Sequence, residues 1–177
     1  MKSITAAACC LLMMSIVPAT LSAKGRTVKI TITGTDLPKP IEITDEKIGM
    51  FSIWAGPGVV KNGVEETEGF IIDWSKGVVA QPPAGLRHYV VSFYDGCRMD
   101  EDGCRTSEPL LIYVVSYDYN PSTEQGFVYL PGKADKLVKF NKIWHGHGFE
   151  GNWLFATNTW ESFVRPLIAK ARAAGAN

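Results

Sequence analysis

Residues 110–119, LLIYVVSYDY, carry the alternation that most constrains how this chain can fold. Successive side chains of an extended strand point to opposite faces, so every second residue shares a face. One face would carry large apolar and aromatic side chains: Leu111, Tyr113, Val115, Tyr117 and Tyr119. The other face would carry Ile112, Val114, Ser116 and Asp118. The pattern therefore predicts a long β-strand with two distinct faces.

Residues 87–94, RHYVVSFY, are also β-branched and aromatic, and they predict a second long strand. Residues 95–108, which are acidic and hold two cysteines, would join the two strands as a long hairpin loop. Runs of apolar residues between turn signals predict shorter strands elsewhere. These segments are residues 27–33, 41–44, 70–74, 126–130 and 137–144. In the first of them, Val28, Ile30 and Ile32 share the face expected to be buried.

The period changes near the C-terminus, where apolar residues recur at helical spacing. They are Trp160, Phe163, Val164, Leu167, Ile168 and Ala171. Asn158 or Thr159 is expected to cap the start of this helix, and Pro166 is expected to kink or break it. Together the elements predict an α+β fold, an antiparallel β-meander sheet packed by a C-terminal amphipathic helix. The alternative is a β-sandwich or barrel with a terminal helix.

The first 23 residues have the pattern of a secretory signal peptide. Lys2 precedes an apolar run at residues 4–17, Pro18 interrupts it, and Ala23 is the small residue expected at a cleavage site. An uncleaved membrane anchor is the alternative, because the stretch is long enough to span a bilayer. We expect cleavage after Ala23, which leaves residues 24–177 as a single globular domain exported to the periplasm or the extracellular medium.

Charge excludes two classes of partner. The chain has 18 basic and 18 acidic residues, so it has no bulk positive charge to attract nucleic acid or an anionic membrane surface. No second apolar segment is long enough to span a bilayer. After signal cleavage we therefore expect neither a nucleic acid nor a membrane as partner.

Two cysteines, Cys97 and Cys104, remain after the signal peptide. A pair of cysteines in an exported chain predicts a disulfide bond, here one that closes a short loop. Their spacing fits neither a zinc-knuckle pattern nor a C-x-x-C redox motif.

The three histidines of the chain suggest one candidate metal site. On an extended segment, His145 and His147 would share a face, and Glu150 follows closely. With His88 as a third imidazole, this set contains the donors that Zn²⁺ or Cu²⁺ prefers. The competing interpretation is a solvated loop, because the sequence around the pair, WHGHGFEGN, is rich in glycine. We favour the loop.

Aromatic residues suggest a second kind of site. Trp74, Trp144 and Trp153 lie in or beside turn-rich segments, where exposed rings can stack on sugars or anchor a protein partner. The competing interpretation is that these rings belong to the core, since tryptophan is highly buried on average.

Motifs for catalysis are missing from the sequence: it contains no G-x-S-x-G, no H-E-x-x-H and no phosphate-binding G-K-[ST] loop. The sequence therefore favours a non-enzymatic exported domain, without a cofactor, that binds a protein or a cell-envelope glycan. The alternative is a metal-binding protein or metal-dependent enzyme that uses the segment around His145 and His147.

Overall fold

The computed structural model of the protein describes residues 27–45, 48, 60–61, 63–65, 71–96, 108–140 and 149–175. Within them, seven strands form one antiparallel sheet, and an 18-residue helix lies against one of its faces. The α+β prediction is confirmed. The sheet is open, so the barrel alternative is wrong.

The strands are β1 (Thr27–Gly34), β2 (Ile41–Ile43), β3 (Val60–Lys61), β4 (Val64–Glu65), β5 (Val78–Val79), β6 (Arg87–Asp95), β7 (Leu110–Tyr119), β8 (Gly126–Tyr129) and β9 (Trp153–Phe155). The large sheet has the order β2-β1-β6-β7-β8-β9-β5, and β3 and β4 form a separate hairpin. The helix, α1, spans Asn158–Gly175, and short 3-10 turns span Trp74–Lys76 and Val138–Phe140. No helix in the described part of the chain is long and apolar enough to cross a bilayer.

One predicted strand is wrong, and the described part of another is not a strand. In the described residues 71–74, Ile72 forms an isolated bridge with Ala156 instead of a strand, because the Asp73 carboxylate accepts a hydrogen bond from the Ser75 backbone N–H and turns the chain. In the described part of residues 137–144 the chain forms the 3-10 turn Val138–Phe140 instead of a strand. The last strands of the sheet, β9 and β5, were not predicted.

The core lies between α1 and the face of the sheet that the alternation predicted to carry large apolar and aromatic side chains. Its largest fully buried side chains include Trp160, Tyr89, Tyr113, Tyr117, Phe93, Ile30, Ile32 and Leu154. The Trp160 ring of α1 meets Tyr117 of β7 edge to face, with ring centroids 5.7 Å apart. Aromatic pairs prefer this arrangement, so α1 and the sheet have a defined register.

Two β-bulges change which side chains share a face, so that the faces of β1 and β7 differ in part from the predicted alternation. On β1 the register shifts between Thr27 and Lys29, so Thr27 is buried and Val28 is only half-buried. On β7 an extra residue, Ile112, lies between the partners of Phe93 and Tyr94. An extra residue reverses the alternation beyond it, and hydrophobic pattern alone does not locate a bulge.

The start of α1 also differs from the prediction. The Thr157 side chain accepts a hydrogen bond from the Trp160 backbone N–H (3.1 Å), and the Thr157 carbonyl accepts the first helical bond from Glu161 (3.0 Å). Thr157 is therefore the N-cap. The helix continues through Pro166 to its end, so the expected break is absent from α1.

Candidate functional site

The face of the sheet opposite α1 carries two rows of side chains that are cross-strand partners on β6, β7, β8 and β9. The first row is His88, Asp118, Phe127 and Phe155, and the second is Val90, Ser116, Tyr129 and Trp153. We call these eight residues the outer face. They alternate along the strands with the core residues that α1 covers, so the same backbone holds both faces rigidly.

Aromatic rings occupy the β8 and β9 side of the outer face. The Phe127 and Phe155 rings lie with centroids 5.6 Å apart, and the Tyr129 and Trp153 rings 5.1 Å apart. Phe127 is buried, whereas the other three are half-buried and keep part of their surface open to solvent. The Lys76 ammonium lies 5.7 Å from the Phe155 ring centroid. These four rings form an aromatic surface that spans two strands.

A histidine–carboxylate pair occupies the β6 and β7 side. His88 Nδ1 lies 2.6 Å from Asp118 Oδ1, and the His88 side chain is 57% exposed while that of Asp118 is 16% exposed. Burial raises the pKa of the Asp118 carboxyl, and the hydrogen bond and charge of His88 act in the opposite direction. The pair therefore presents an accessible imidazole whose orientation is fixed by a less accessible carboxylate.

The loop after β8 holds Tyr129 in place. The Tyr129 hydroxyl donates to the Asp135 carboxylate (2.9 Å), which also accepts the Gly132 backbone N–H (2.6 Å). Burial and the hydrogen bond to Asp135 raise the pKa of the Tyr129 hydroxyl. The ring of Tyr129 is thus fixed at both ends, by its strand and by this loop.

Two of the predicted tryptophans lie in different surroundings. Trp153 belongs to the outer face, where its ring packs beside Tyr129. Trp74 packs against the hydrophobic core, and its ring centroid lies 4.8 Å from that of Phe149. Trp74 therefore lies beside the core and Trp153 lies on the outer face.

The predicted metal ligands His88 and Glu150 lie in different parts of the sheet, His88 on β6 and Glu150 in the turn before β9. The Gly151 backbone N–H donates to the Leu130 carbonyl (2.8 Å), which places Glu150 beside the end of β8, away from β6. Because β6 and β9 are three strand spacings of about 4.8 Å apart, the two residues are separated by at least roughly 14 Å. Among the described residues no group of three or more His, Cys, Asp or Glu side chains is arranged to hold a metal ion.

The remaining predicted residues lie outside the described part of the chain: His145, His147, Trp144, Cys97 and Cys104. The same is true of the expected signal peptide, residues 1–23. The disulfide bond, the metal site and the cleavage site therefore stay predictions.

A second polar cluster, which the sequence analysis missed, lies on the core side. Buried Glu161 accepts a hydrogen bond from the Tyr117 hydroxyl (2.9 Å) and pairs with Arg165 one turn along α1. Burial raises the pKa of the Glu161 carboxyl, and the contacts with Tyr117 and Arg165 act in the opposite direction. The cluster ties α1 to β7. Its signal in the sequence was the i, i+4 spacing of opposite charges.

The His88–Asp118 pair was also missed as a pair. Each residue could be placed on its strand from the alternation, but their contact depends on the register of β6 against β7, which pairs His88 with Asp118.

The chain was compared with protein-family models, with curated proteins and with solved structures. None of the three comparisons finds a match.

Proposed function

We propose that this protein is an exported, non-enzymatic binding domain and that its outer face binds a cell-envelope glycan. The observation that carries the proposal is the position of Tyr129, Trp153 and Phe155 in rigid strands, in the same two rows as an accessible His88–Asp118 pair. Ring faces stack on the apolar faces of sugars, and neighbouring polar groups bind the hydroxyls. The N-terminal sequence supports a periplasmic or extracellular location.

A protein partner is less well supported by the surface. Protein-binding faces are built around a contiguous apolar patch with fully desolvated anchors. Among the described residues, the strongly exposed large hydrophobic side chains are Val64, Val78 and Leu110, which lie on three different strands. Three of the four rings of the outer face are half-buried, and the rings lie beside the polar groups of β6 and β7, which suits a hydroxyl-rich ligand better.

Calorimetric titration of residues 24–177 with soluble oligosaccharides tests the proposal. We expect binding that Trp153→Ala weakens at least tenfold. Phe163→Ala is the matched control, because Phe163 is an aromatic residue on α1 that packs beside Trp160, on the other side of the sheet. Circular dichroism establishes that both variants are folded. Absence of binding to every glycan, or equal loss in the two variants, would contradict the proposal.

One observation favours metal binding as a second function. Metal-ligating histidines nearly always donate their other ring N–H to a carboxylate, and His88 has such a partner in Asp118. Titration with Zn²⁺ distinguishes the two functions. Stoichiometric micromolar binding that is lost both in His88→Ala and in a His145→Ala, His147→Ala double variant would favour the metal site over the glycan.

A further inference from the structure

A loop of residues 131–140 follows β8 and packs on the same side of the sheet as the outer face. The hydroxyl of Tyr129, an outer-face residue, donates to the Asp135 carboxylate of this loop. Farther along, the 3-10 turn Val138–Phe140 lies against β7. Val114 of β7 is on the same side and is buried without belonging to the core that α1 covers. The loop therefore borders the aromatic rings and covers the neighbouring part of β7.

Lysines occupy every third position of this loop: Lys133, Lys136 and Lys139. Backbone hydrogen bonds close the turns of the loop at the same interval. They run from the N–H of Asp135 to Gly132 (2.9 Å), of Val138 to Asp135 (3.2 Å) and of Phe140 to Leu137 (3.0 Å). Side chains three residues apart are eclipsed in 3-10 turns, so the three lysines lie along one side of the loop. We call them the lysine row.

Burial in the loop agrees with this alignment. All three residues of the lysine row are exposed, and among the other residues of the loop only Ala134 is exposed. Gly132 is buried, and Asp135 and Val138, which follow it at intervals of three, are half-buried. The loop thus turns one side toward the protein and presents its lysines to solvent.

The lysine row takes part in no ion pair with the described residues. Elsewhere in that part of the chain, lysine and arginine do pair with carboxylates. These pairs are Lys76 with Asp73, Arg165 with Glu161, and Arg172 with Asp36. The one carboxylate of the loop, Asp135, instead accepts the Tyr129 hydroxyl and the Gly132 backbone N–H. The ammonium groups of the row are therefore available to an anionic ligand.

The charges on this side of the sheet are unevenly distributed. Beside the aromatic rings, the lysine row faces two carboxylates, Asp135 and Glu150, and the Lys76 ammonium is paired with Asp73. Toward β2 the balance is reversed. There Lys29 is the lysine, and the carboxylates are Asp118, which contacts His88, and Glu42. Positive charge is thus concentrated next to Tyr129 and Trp153, although the whole chain has equal numbers of basic and acidic residues.

We infer that the glycan bound by the outer face is acidic, and that the lysine row binds its anionic groups while Tyr129 and Trp153 stack on its sugar rings. This inference rests on the proposed function and names the ligand class of the outer face. At a rise of about 2.0 Å per residue, neighbouring lysines of the row are roughly 6 Å apart along the loop. A single anion would need only one ammonium, so three in a row favour a polymer with repeated anionic groups.

Affinity measurements at about pH 7.5 and low salt test the ligand class. The neutral probe is a hexasaccharide of glucose. The acidic probes are a hexasaccharide of galacturonate and a phosphorylated hexasaccharide of glucose, so that carboxylate and phosphate are tested separately. We expect at least one acidic probe to bind roughly tenfold more tightly than the neutral probe. Salt screens exposed charges, so added sodium chloride should weaken the acidic probe selectively.

Matched lysine variants test the role of the row. A Lys133→Gln, Lys136→Gln double variant should weaken binding of the acidic probe roughly fivefold, as expected for two exposed ion pairs, and leave the neutral probe unchanged. The control is a Lys39→Gln, Lys170→Gln double variant, which has the same net charge. Lys39 lies in the connection between β1 and β2, Lys170 lies on α1, and both are exposed. The control should bind both kinds of probe like the wild type.

The outcomes separate the inference from the proposed function. If the neutral probe binds as tightly as the acidic probes and Trp153→Ala loses that binding, the outer face binds glycans but the inference is wrong. Equal losses in the two double variants, or acidic binding that Trp153→Ala leaves intact, also overturn it. So does tighter binding of a single-stranded DNA oligonucleotide, which would assign the lysine row to nucleic acid. If no oligosaccharide binds, the proposed function fails and the inference fails with it.

Discussion

The two faces of the sheet are formed by the same strands, but their ionisable side chains have partners that differ in exposure to solvent. On the core face, Glu161 is 6% exposed, accepts the Tyr117 hydroxyl and pairs with Arg165, so its bonds tie α1 to the sheet. On the outer face, Asp118 holds His88, whose side chain is 57% exposed. Burial raises the pKa of both carboxyls. The difference lies in the partner, since the partner of Glu161 is packed within the protein whereas the partner of Asp118 is accessible to a ligand.

The largest difference between the faces should appear when a tryptophan is removed from each. Trp160 is fully buried between α1 and the sheet, so Trp160→Ala should destabilise the protein by about 3–5 kcal/mol through lost burial and a residual cavity. Trp153 is half-buried, and Trp153→Ala should cost about 1–2 kcal/mol. Urea denaturation of both variants measures the difference. Equal losses would contradict the distinction between a packed face and an accessible one.

Substitution of Gly126 tests how tightly the cluster of Glu161, Tyr117 and Arg165 is packed. A Cβ at this position would lie 2.8 Å from Tyr117 Cε2 and would also collide with the Glu161 carboxylate. Gly126→Ala should therefore destabilise the protein by about 1–3 kcal/mol. Gly85→Ala is an instructive comparison, because a Cβ there meets nothing within 4 Å and any cost comes from its positive φ of 78°. A neutral effect of Gly126→Ala in thermal unfolding would show that the cluster can move aside.

Asp95 should make stability depend on pH in a defined direction. It is 6% exposed, and burial raises the pKa of its carboxyl, while a hydrogen bond from the Thr27 hydroxyl (3.3 Å) acts in the opposite direction. A carboxyl with a raised pKa in the folded state binds protons more tightly when folded, so its contribution to stability is lost as the pH rises through the folded pKa.

Asp95→Asn should remove the loss of stability that Asp95 causes as the pH rises. We expect the variant to be more stable than the wild type at pH 7 and to lose this advantage as the pH falls toward 4. Denaturant unfolding at a series of pH values measures it. An advantage that grows with falling pH would show that the sign is wrong.

The smallest effect on stability is expected at the outer face. His88→Ala removes an exposed ring whose hydrogen bond to Asp118 lies at the surface, and such substitutions usually change stability by less than about 0.5 kcal/mol. The same variant should weaken ligand binding, so stability and binding should respond independently. A large loss of stability in His88→Ala, measured by urea denaturation, would show that the pair is structural.

The alternation of strands and the period of helices predicted those elements in which buried side chains recur at regular intervals. The two long strands, the first strand and the apolar stripe of α1 were all visible, because each one alternates or repeats over seven residues or more. The strand predicted at residues 70–74, and the described part of the one predicted at residues 137–144, are not strands in the structure, because short apolar runs do not distinguish a strand from a turn. In the first case the Asp73 side chain decided the outcome by bonding to Ser75.

For the candidate site, the sequence identified His88 and Trp153 separately but proposed different partners for them. His88 was grouped with His145, His147 and Glu150, and Trp153 with Trp74 and Trp144. The structure pairs His88 with Asp118 and packs Trp153 against Tyr129. Both contacts depend on the register between neighbouring strands, β6 with β7 and β8 with β9, and the sequence pattern does not give that register.

By itself the sequence determined the α+β class, the two faces of β7 from Tyr113 to Tyr119 and the burial of the α1 stripe, because these follow from side-chain periodicity along one segment. Only the tertiary structure decided the order of the strands, the two bulges and the rows of the outer face. Those features depend on the register between strands, and one inserted residue, such as Ile112, moves every side chain beyond it to the other face. The outer face exists because β6, β7, β8 and β9 pair in one particular register.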